Sequence, residues 1–268
     1  MKLTVSAAQM DVIVSEPQEN LKKAEARVAE AVEKGSDLIC FPEMWTTGFN
    51  WANNKRMARD HEKVIDQVAD MARHHKIWIN GSMLALTEKG NVANTSILFD
   101  SKGNRAAVYR KTHLYTFLHE EKHMEAGNSL SLVDTPWGLT GLTVCYDIRF
   151  PELFRTYALK GAKVILSPMA FPHPKLEHWK VLVRARAIEN QLFMIGANHV
   201  GNEDFGEDGM VSYLGDSVII GPWGETIVEA SGENEELLTA TVDISESDEI
   251  RNKMKVLEDR RPDLYELS

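Results

Sequence analysis

Short apolar segments alternate along this chain with stretches whose apolar residues recur every three to four positions. Residues 3–9 are predicted to form a buried strand and residues 37–41 another. Between them lies a predicted helix: Ser15 and Gln18 match the spacing of a capping box, and Gly35 is of the type that ends helices. This strand–helix–strand opening favours an α/β fold in which helices pack outside sheets.

The same alternation continues through most of the chain. Further helices are predicted at residues 61–75, 151–160 and 176–190, and strands at 76–84, 97–99, 106–109, 142–145, 163–166, 193–197 and 218–220. The turn-forming residues 100–104 are typical of a β-hairpin, so the sheets are expected to be mixed. Because no linker-like run interrupts it, the chain 1–268 is expected to form a single domain.

Charge and cysteine content exclude several classes of partner. The formal net charge of −10 and the isoelectric point near 5.4 argue against a surface for nucleic acid or anionic membranes. No run approaches the roughly 18–20 apolar residues of a membrane span, and no signal-peptide core follows the first residues. With only Cys40 and Cys145, a disulfide framework is not expected, and the expected compartment is the reducing cytoplasm.

Glu43 occupies a position where α/β proteins place their chemistry, just beyond the carboxyl end of a strand. It follows the apolar residues 38–40 and lies within the sequence Phe-Pro-Glu-Met-Trp. An isolated loop glutamate is usually solvated. These apolar neighbours would instead exclude water, raise the pKa of the carboxyl and suit it to act as a general base.

Cys145 ends a predicted strand, and a helix-starting proline follows six residues later. The thiol is therefore expected in a tight strand-to-helix turn, which can present a nucleophile to a cleft and aim backbone N–H groups at an oxyanion. Most cysteines are buried structural thiols, and Cys40, inside an apolar strand, fits that role. Cys145 fits it poorly, because Tyr146, Asp147 and Arg149 surround it.

Three segments together resemble the signature blocks of the nitrilase superfamily: residues 41–43 (FPE), 109–114 (YRKTHL) and 144–152 (VCYDIRFPE). Lys111, in the second block, would by itself be taken for a surface lysine. Three blocks in the family's order are far more specific than any one of them, and the resemblance spans nearly the whole chain. It implies an α/β fold, a four-layer αββα sandwich of two mixed sheets, usually assembled as a homodimer or larger homo-oligomer.

The resemblance also implies a metal-free and cofactor-free acyl transfer on a small-molecule amide. Glu43 would take the thiol proton, and Cys145 would attack the amide carbon. Lys111 and the backbone N–H of Tyr146 would stabilise the oxyanion. Ammonia would then leave, and water would hydrolyse the thioester.

Within the superfamily the chain resembles the omega-amidase branch, which hydrolyses the terminal amides of 2-oxoglutaramate and 2-oxosuccinamate. The similar segments are residues 42–49, 145–150, 167–171 and 184–191. Arg149 could bind the substrate carboxylate through two parallel hydrogen bonds, the alternative being an ion pair with Asp147 or Glu152. Some omega-amidases have a Thr-Thr-Gly-containing loop before a His-Trp pair, whereas residues 172–177 (PHPKLE) occupy that place here.

Residues 119–123 (HEEKH) allow two interpretations. Glu120 matches the family's second glutamate, which would orient the lysine or assist proton transfer, and Glu121 is the neighbouring alternative. The segment also fits the H-E-x-x-H pattern of zinc hydrolases, which requires a long helix and a third ligand further on. The sequence predicts neither the helix nor that ligand.

Other classes remain as alternatives. A papain-like Cys–His hydrolase does not explain the strand-to-helix turn at Cys145, and a non-catalytic binding scaffold would be expected to have lost one of the three residues Glu43, Lys111 and Cys145. Hydrolysis of nitriles or N-carbamyl amides uses the same core residues, so the sequence leaves those two activities open.

Overall fold

Two β-sheets pack face to face at the centre of the molecule, and helices cover both outer faces. The computed structural model describes residues 1–265. Its helices are α1 (Pro17–Glu33), α2 (Trp51–His75), α3 (Pro151–Leu159), α4 (Leu176–Asn190) and α5 (Ser245–Lys253). None of the helices in this range combines the length and apolar character needed to cross a bilayer.

The strands are numbered in chain order. They are β1 (Lys2–Asp11), β2 (Leu38–Cys40), β3 (Trp78–Leu86), β4 (Val92–Phe99), β5 (Arg105–Arg110), β6 (Leu132–Thr135), β7 (Gly138–Leu142), β8 (Val164–Pro168), β9 (Phe193–Ala197), β10 (His199–Val200), β11 (Asn202–Asp204), β12 (Met210–Ser212), β13 (Val218–Ile220), β14 (Thr226–Glu229) and β15 (Glu236–Asp243).

The first sheet is organised around β1. Its strand order is β10-β1-β2-β3-β4-β5, and β15 also pairs with β1. β1 runs parallel to β2 and β10 and antiparallel to β15, whose register extends from Lys2 opposite Asp243 to Gln9 opposite Glu236. β3, β4 and β5 are successive antiparallel neighbours, with the predicted hairpin between β4 and β5. The sheet is therefore mixed, as predicted.

β1 is apolar on both faces because both faces are buried. Leu3, Val5 and Ala7 belong to the core that joins the two sheets, whereas Ala8 and Met10 pack with residues of α1 and α2. Since successive side chains of a strand point to opposite faces, burial of both faces produces a nearly continuous apolar run. The sequence pattern predicted this strand for that reason.

The second sheet has the order β14-β13-β9-β8-β7-β6. β7, β8 and β9 are parallel, and antiparallel strands extend the sheet on both sides. α3 and α4 belong to the same apolar core as this sheet and the inner face of the first sheet. The layers are helix, sheet, sheet and helix, which confirms the predicted αββα sandwich.

Three predictions of local structure are wrong. Ser15 has a left-handed φ of 62° and α1 has no side-chain cap, so the predicted capping box with Gln18 does not form. α2 begins ten residues earlier than predicted, because the side chain of Asn50 accepts a hydrogen bond from the N–H of Asn53 and starts the helix there. The strand predicted at 142–145 ends at Leu142, three residues before the cysteine.

The fold brings the loops after β2 and β8 together at one edge of the sandwich. The N–H of Glu43 donates to the carbonyl of Met169 over 3.1 Å, and the N–H of Trp45 donates to the carbonyl of Ser82. Trp45 stacks on Phe41 with ring centroids 4.6 Å apart. The loop that carries Glu43 is thus attached to both sheets.

Gly81 in β3 permits this packing. A β carbon at Gly81 would lie 2.5 Å from Nε1 of Trp45 and 2.9 Å from Cβ of Phe41. Gly81→Ala is therefore expected to lower the free energy of unfolding by about 1–3 kcal/mol, because the methyl group must displace buried side chains. Urea unfolding followed by circular dichroism measures the loss.

A double-mutant comparison separates this contact from a general intolerance of alanine at Gly81. In a Trp45→Leu background the same substitution should cost clearly less, because a smaller and more flexible side chain can move away from the methyl group. Equal costs in both backgrounds would contradict the assigned contact.

Candidate active site

Lys111 follows β5, and its ammonium bridges two buried carboxylates. Its Nζ lies 2.7 Å from Oε1 of Glu43 and 2.7 Å from Oε2 of Glu120. Asn94 in β4 adds a second donor, with its Nδ2 2.7 Å from Oε1 of Glu43 and 3.3 Å from Oε1 of Glu120. The three charged side chains are only 1–2% exposed. The structure thus brings together three of the predicted residues.

This arrangement fixes the charge of the lysine and makes one carboxyl more basic. Burial raises the pKa of Glu43 above its usual range, and the ammonium of Lys111 opposes this only in part. Burial alone would lower the pKa of Lys111, but the carboxylates of Glu120 and Glu43 raise it instead. Lys111 therefore stays protonated while Glu43 is able to accept a proton.

Cys145 begins a 3₁₀ turn, Cys145–Arg149, between β7 and α3. Its φ of 40° lies in the left-handed region, which residues with a β carbon rarely adopt. Asp147 stabilises this turn, since its Oδ2 accepts a hydrogen bond of 2.8 Å from the N–H of Val144. The thiol thus lies in a tight turn between a strand and a helix, as the sequence predicted.

Asp147 also connects the turn of Cys145 to the segment that carries Lys111. Its carboxylate accepts a hydrogen bond of 2.8 Å from the hydroxyl of Tyr109 in β5 and lies 2.7 Å from Nδ1 of His113. The side chain of Asp147 is fully buried. Because Tyr109 and His113 flank Lys111 in sequence, this network fixes the distance between the thiol and the ammonium.

The environment of Cys145 keeps its thiol protonated at rest. Burial raises the pKa of this thiol well above its usual value, the negative charge of Glu43 raises it further, and Lys111 opposes both. Two carboxylates and one ammonium already leave this buried region negative, so a free thiolate is disfavoured. Glu43, whose pKa burial raises, is the neighbouring group that is able to accept this proton.

One pocket, of about 500 Å³ including its open mouth, joins these groups. Its lining includes the four predicted catalytic side chains together with Tyr146 and Arg149, the two predicted substrate-binding residues. Aromatic and aliphatic side chains form most of the remaining wall, among them Phe49, Trp51, Leu118, Phe171, Phe205 and Tyr213. Such a wall excludes water and strengthens electrostatic interactions at the reacting atoms.

Arg149 is held at this pocket by aromatic rings. Its guanidinium carbon lies 5.3 Å from the ring centroid of Phe171 and 6.0 Å from that of Tyr146. The nearest polar partner is Nδ1 of His178, at 3.4 Å. No carboxylate among residues 1–265 forms an ion pair with Arg149, so the alternative of a pair with Asp147 or Glu152 is wrong. Its charge is available to a ligand.

The structure distinguishes Glu120 from Glu121. Glu120 is 2% exposed and bonded to Lys111, and its Oε2 also accepts a hydrogen bond of 2.6 Å from the N–H of Tyr115. Glu121 is 40% exposed and lies 3.9 Å from His119. Glu120 is therefore the second carboxylate of the site.

The zinc-hydrolase interpretation of residues 119–123 fails on geometry. The segment forms a 3₁₀ turn, Glu120–Lys122, instead of the long helix that the H-E-x-x-H pattern needs. His119 has a left-handed φ of 55°, and His123 stacks on Trp51 with ring centroids 4.9 Å apart. Within the described residues, no cluster of three or more His, Cys, Asp or Glu side chains is arranged to hold a metal ion.

The papain-like alternative finds no support in the surroundings of Cys145. Among the described residues that line the pocket of Cys145 there is no histidine. After burial, the negative charge of Glu43 is the largest cause that raises the pKa of the Cys145 thiol.

Two buried polar residues of the site were missed by sequence reasoning. Asn94 hydrogen-bonds both carboxylates. It lies in β4 beside the polar residues Thr95 and Ser96, so the local pattern gave no signal that could have found it. Glu203 in β11 lies behind the pocket wall. Its carboxylate accepts hydrogen bonds from the hydroxyl of Tyr213 (2.8 Å) and the N–H of Phe49, both of which line the pocket.

The buried carboxyl of Glu203 is expected to make the stability of the fold depend on pH. Burial raises its pKa from 4.5 to about 7. The folded state therefore favours the protonated carboxyl, whose stabilising contribution is complete below about pH 4.5 and is lost as the pH rises through about 7. Glu203→Gln keeps an acceptor for the N–H of Phe49 and removes the titration. The free energy of unfolding of Glu203→Gln minus that of wild type is therefore expected to increase by roughly 2–4 kcal/mol between pH 4 and pH 8.

Urea unfolding of both proteins at pH 4, 6 and 8 tests this expectation. Glu207→Gln, which removes an exposed carboxylate close by in the chain, is the matched control and should show little of the change. A stability difference for Glu203→Gln that is the same at all three pH values would contradict the assignment.

Comparison with known proteins places the chain in a family. The carbon-nitrogen hydrolase family model matches residues 4–252. A protein of Bacillus subtilis (strain 168) named 2-oxoglutaramate amidase is 36% identical over 99% of this chain and 100% of its own length. Omega-amidase NIT2 of Xenopus tropicalis is 31% identical over 92% of this chain and 91% of its own.

A solved structure similar to this chain is also that of an amidase. It is a mutant of the amidase from Nesterenkonia sp. AN1 with covalent addition of the acetamide moiety of fluoroacetamide at the active-site cysteine. It superposes with a TM-score of 0.87, is 26% identical, and the match covers 98% of this chain and 95% of that one. The chain belongs to the carbon-nitrogen hydrolase family, the nitrilase superfamily that its three sequence blocks resemble.

Proposed function

We propose that this protein is an omega-amidase, which hydrolyses the terminal amide of a small 2-oxo dicarboxylic acid such as 2-oxoglutaramate or 2-oxosuccinamate. The observation that carries the proposal is the convergence of Cys145, Glu43 and Lys111 in one buried pocket. The same pocket presents Arg149, whose charge no carboxylate among residues 1–265 pairs with. The names of the Bacillus subtilis and Xenopus tropicalis relatives support the substrate class.

In the first half of the reaction, Cys145 acts as the nucleophile. Its Sγ attacks the amide carbon while its proton passes to Glu43, which burial has made basic. The amide oxygen becomes an oxyanion, and the ammonium of Lys111 and the N–H of Tyr146 stabilise it. Because Lys111 is held by two carboxylates before substrate arrives, it needs no reorganisation as the charge develops.

In the second half, the thioester forms and is hydrolysed. Glu43 returns its proton to the amide nitrogen, the carbon–nitrogen bond breaks, and ammonia leaves. Water then loses a proton to Glu43 as its oxygen attacks the thioester carbon, and the sulfur leaves as the thiol when that proton is returned. Glu120 acts by positioning Lys111. Its Oε2 accepts a hydrogen bond of 2.7 Å from Nζ of Lys111.

Arg149 would select the acid end of the substrate. A guanidinium can bind a carboxylate through two parallel hydrogen bonds, and here it has no protein carboxylate among residues 1–265 to compete for it. The aromatic rings of Phe171 and Tyr146 hold it in place. A linear amide with a terminal carboxylate would therefore extend from Cys145 towards Arg149.

We also propose that the chain acts as a single domain, residues 1–268, and pairs as a homodimer in a reducing cytoplasm. On the outer helical layer, Val181 and Ile188 of α4 are 61% and 48% exposed, and Trp223 is 52% exposed. Such an apolar surface is suited to burial against a second copy. Cys40 and Cys145 are both free, which suits a reducing compartment.

Replacing the nucleophile tests the reaction. Cys145→Ala is expected to remain folded by circular dichroism and to release no ammonia from 2-oxoglutaramate, because no other group can form the thioester. Cys40→Ala is the matched control: it removes the other buried free thiol and should retain turnover. Undiminished ammonia release by Cys145→Ala would refute the mechanism.

Replacing the arginine tests the substrate class. Arg149→Ala is expected to lower kcat/KM for 2-oxoglutaramate about a hundredfold, since a charge-assisted hydrogen-bonded pair is lost, and to lower it far less for butyramide. Arg149→Lys keeps the charge but cannot form two parallel hydrogen bonds to a carboxylate. Its kcat/KM for 2-oxoglutaramate should therefore lie between those of wild type and Arg149→Ala. Equal losses on the charged and the neutral amide would remove Arg149 from substrate recognition.

A further inference from the structure

A second cation lies at the pocket, in the segment 172–177, and it forms no ion pair among the described residues. Lys175 immediately precedes α4, and it lines the same pocket as Cys145 and Arg149. The chemical steps derived above do not use it. From this position its ammonium can reach a polar group of a bound substrate.

Aromatic rings hold Lys175 as they hold Arg149. Its Nζ lies 5.8 Å from the ring centroid of Tyr115 and 5.2 Å from that of Phe117. The ring of Tyr115 in turn packs against Tyr146, with centroids 4.9 Å apart, and Arg149 lies over Tyr146. The two cations therefore rest on adjoining rings of one aromatic wall.

Charge is distributed unequally within the pocket. Lys111 is neutralised by two carboxylates, whereas neither Lys175 nor Arg149 forms an ion pair with any carboxylate among the residues that the structure describes. One end of the pocket is thus slightly negative and the other carries two uncompensated positive charges. A substrate with one carboxylate neutralises only one of these cations.

We propose that Lys175 is a specificity-determining residue that selects 2-oxo acid amides over 2-amino acid amides. This inference rests on the proposed omega-amidase function. Arg149 binds the substrate carboxylate, and the ammonium of Lys175 donates a hydrogen bond to the adjacent 2-oxo oxygen. Glutamine has the same length and the same terminal amide as 2-oxoglutaramate, but carries an ammonium group where the oxo group lies. Lys175 repels that ammonium group and has no acceptor to bind there.

The selectivity of Lys175 variants tests the inference. Lys175→Met keeps the length and apolar stem of the side chain but removes the charge. We expect the ratio of kcat/KM for 2-oxoglutaramate to that for glutamine to fall about tenfold, because the attraction and the repulsion are lost together. Lys175→Arg should preserve most of the ratio. Lys160→Met, at an exposed site after α3, is the control and should not change it.

Butyramide, which lacks both the carboxylate and the oxo group, separates recognition from structural support. A loss of kcat/KM that is the same for butyramide, glutamine and 2-oxoglutaramate in Lys175→Met would overturn the inference, because it would show that the side chain only supports the loop. An unchanged selectivity ratio would overturn it as well. Wild-type enzyme that hydrolyses butyramide but not 2-oxoglutaramate would refute the proposed function, and this inference with it.

Discussion

The buried ion pairs of Lys111 with Glu43 and Glu120 are the interaction on which the site depends. Removing three charged groups from water costs several kcal/mol for each, and the cost is recovered only where the geometry and hydrogen bonds are good. Here one ammonium contacts both carboxylates at 2.7 Å, and Asn94 supplies a further donor to each. The result is a fixed cation beside a carboxyl that is able to take a proton.

The thiol of Cys145 and the charged groups beside it come from different sheets, so the packing between the sheets sets the distances among them. Glu43 and Lys111 follow strands of the first sheet, and Cys145 follows a strand of the second. Asp147 links the two sheets, because it supports the turn of Cys145 and accepts a hydrogen bond from Tyr109 in β5. A substitution in the core between the sheets is therefore expected to change the distance between Cys145 and Lys111.

The two ends of the pocket have different electrostatic roles. At the end that holds Cys145, two carboxylates and one ammonium leave a small negative charge, which disfavours a thiolate unless its proton passes to Glu43. At the other end, Arg149 and Lys175 rest on aromatic rings without carboxylate partners among the described residues. Cations held in this way remain partly desolvated and available, which is the condition for recognising an anionic substrate.

The sequence by itself determined the layered fold and pointed to the residues that meet in the pocket. Apolar runs revealed strands such as β1 because burial of both faces leaves a continuous pattern, and three short blocks identified Glu43, Lys111 and Cys145. The start of α2 was missed because its first ten residues are mostly polar. Only the tertiary structure decided the roles of Asn94 and Glu203, the choice of Glu120 over Glu121 and the availability of Arg149 and Lys175. Each of these depends on contacts between segments far apart in the chain, which local patterns do not record.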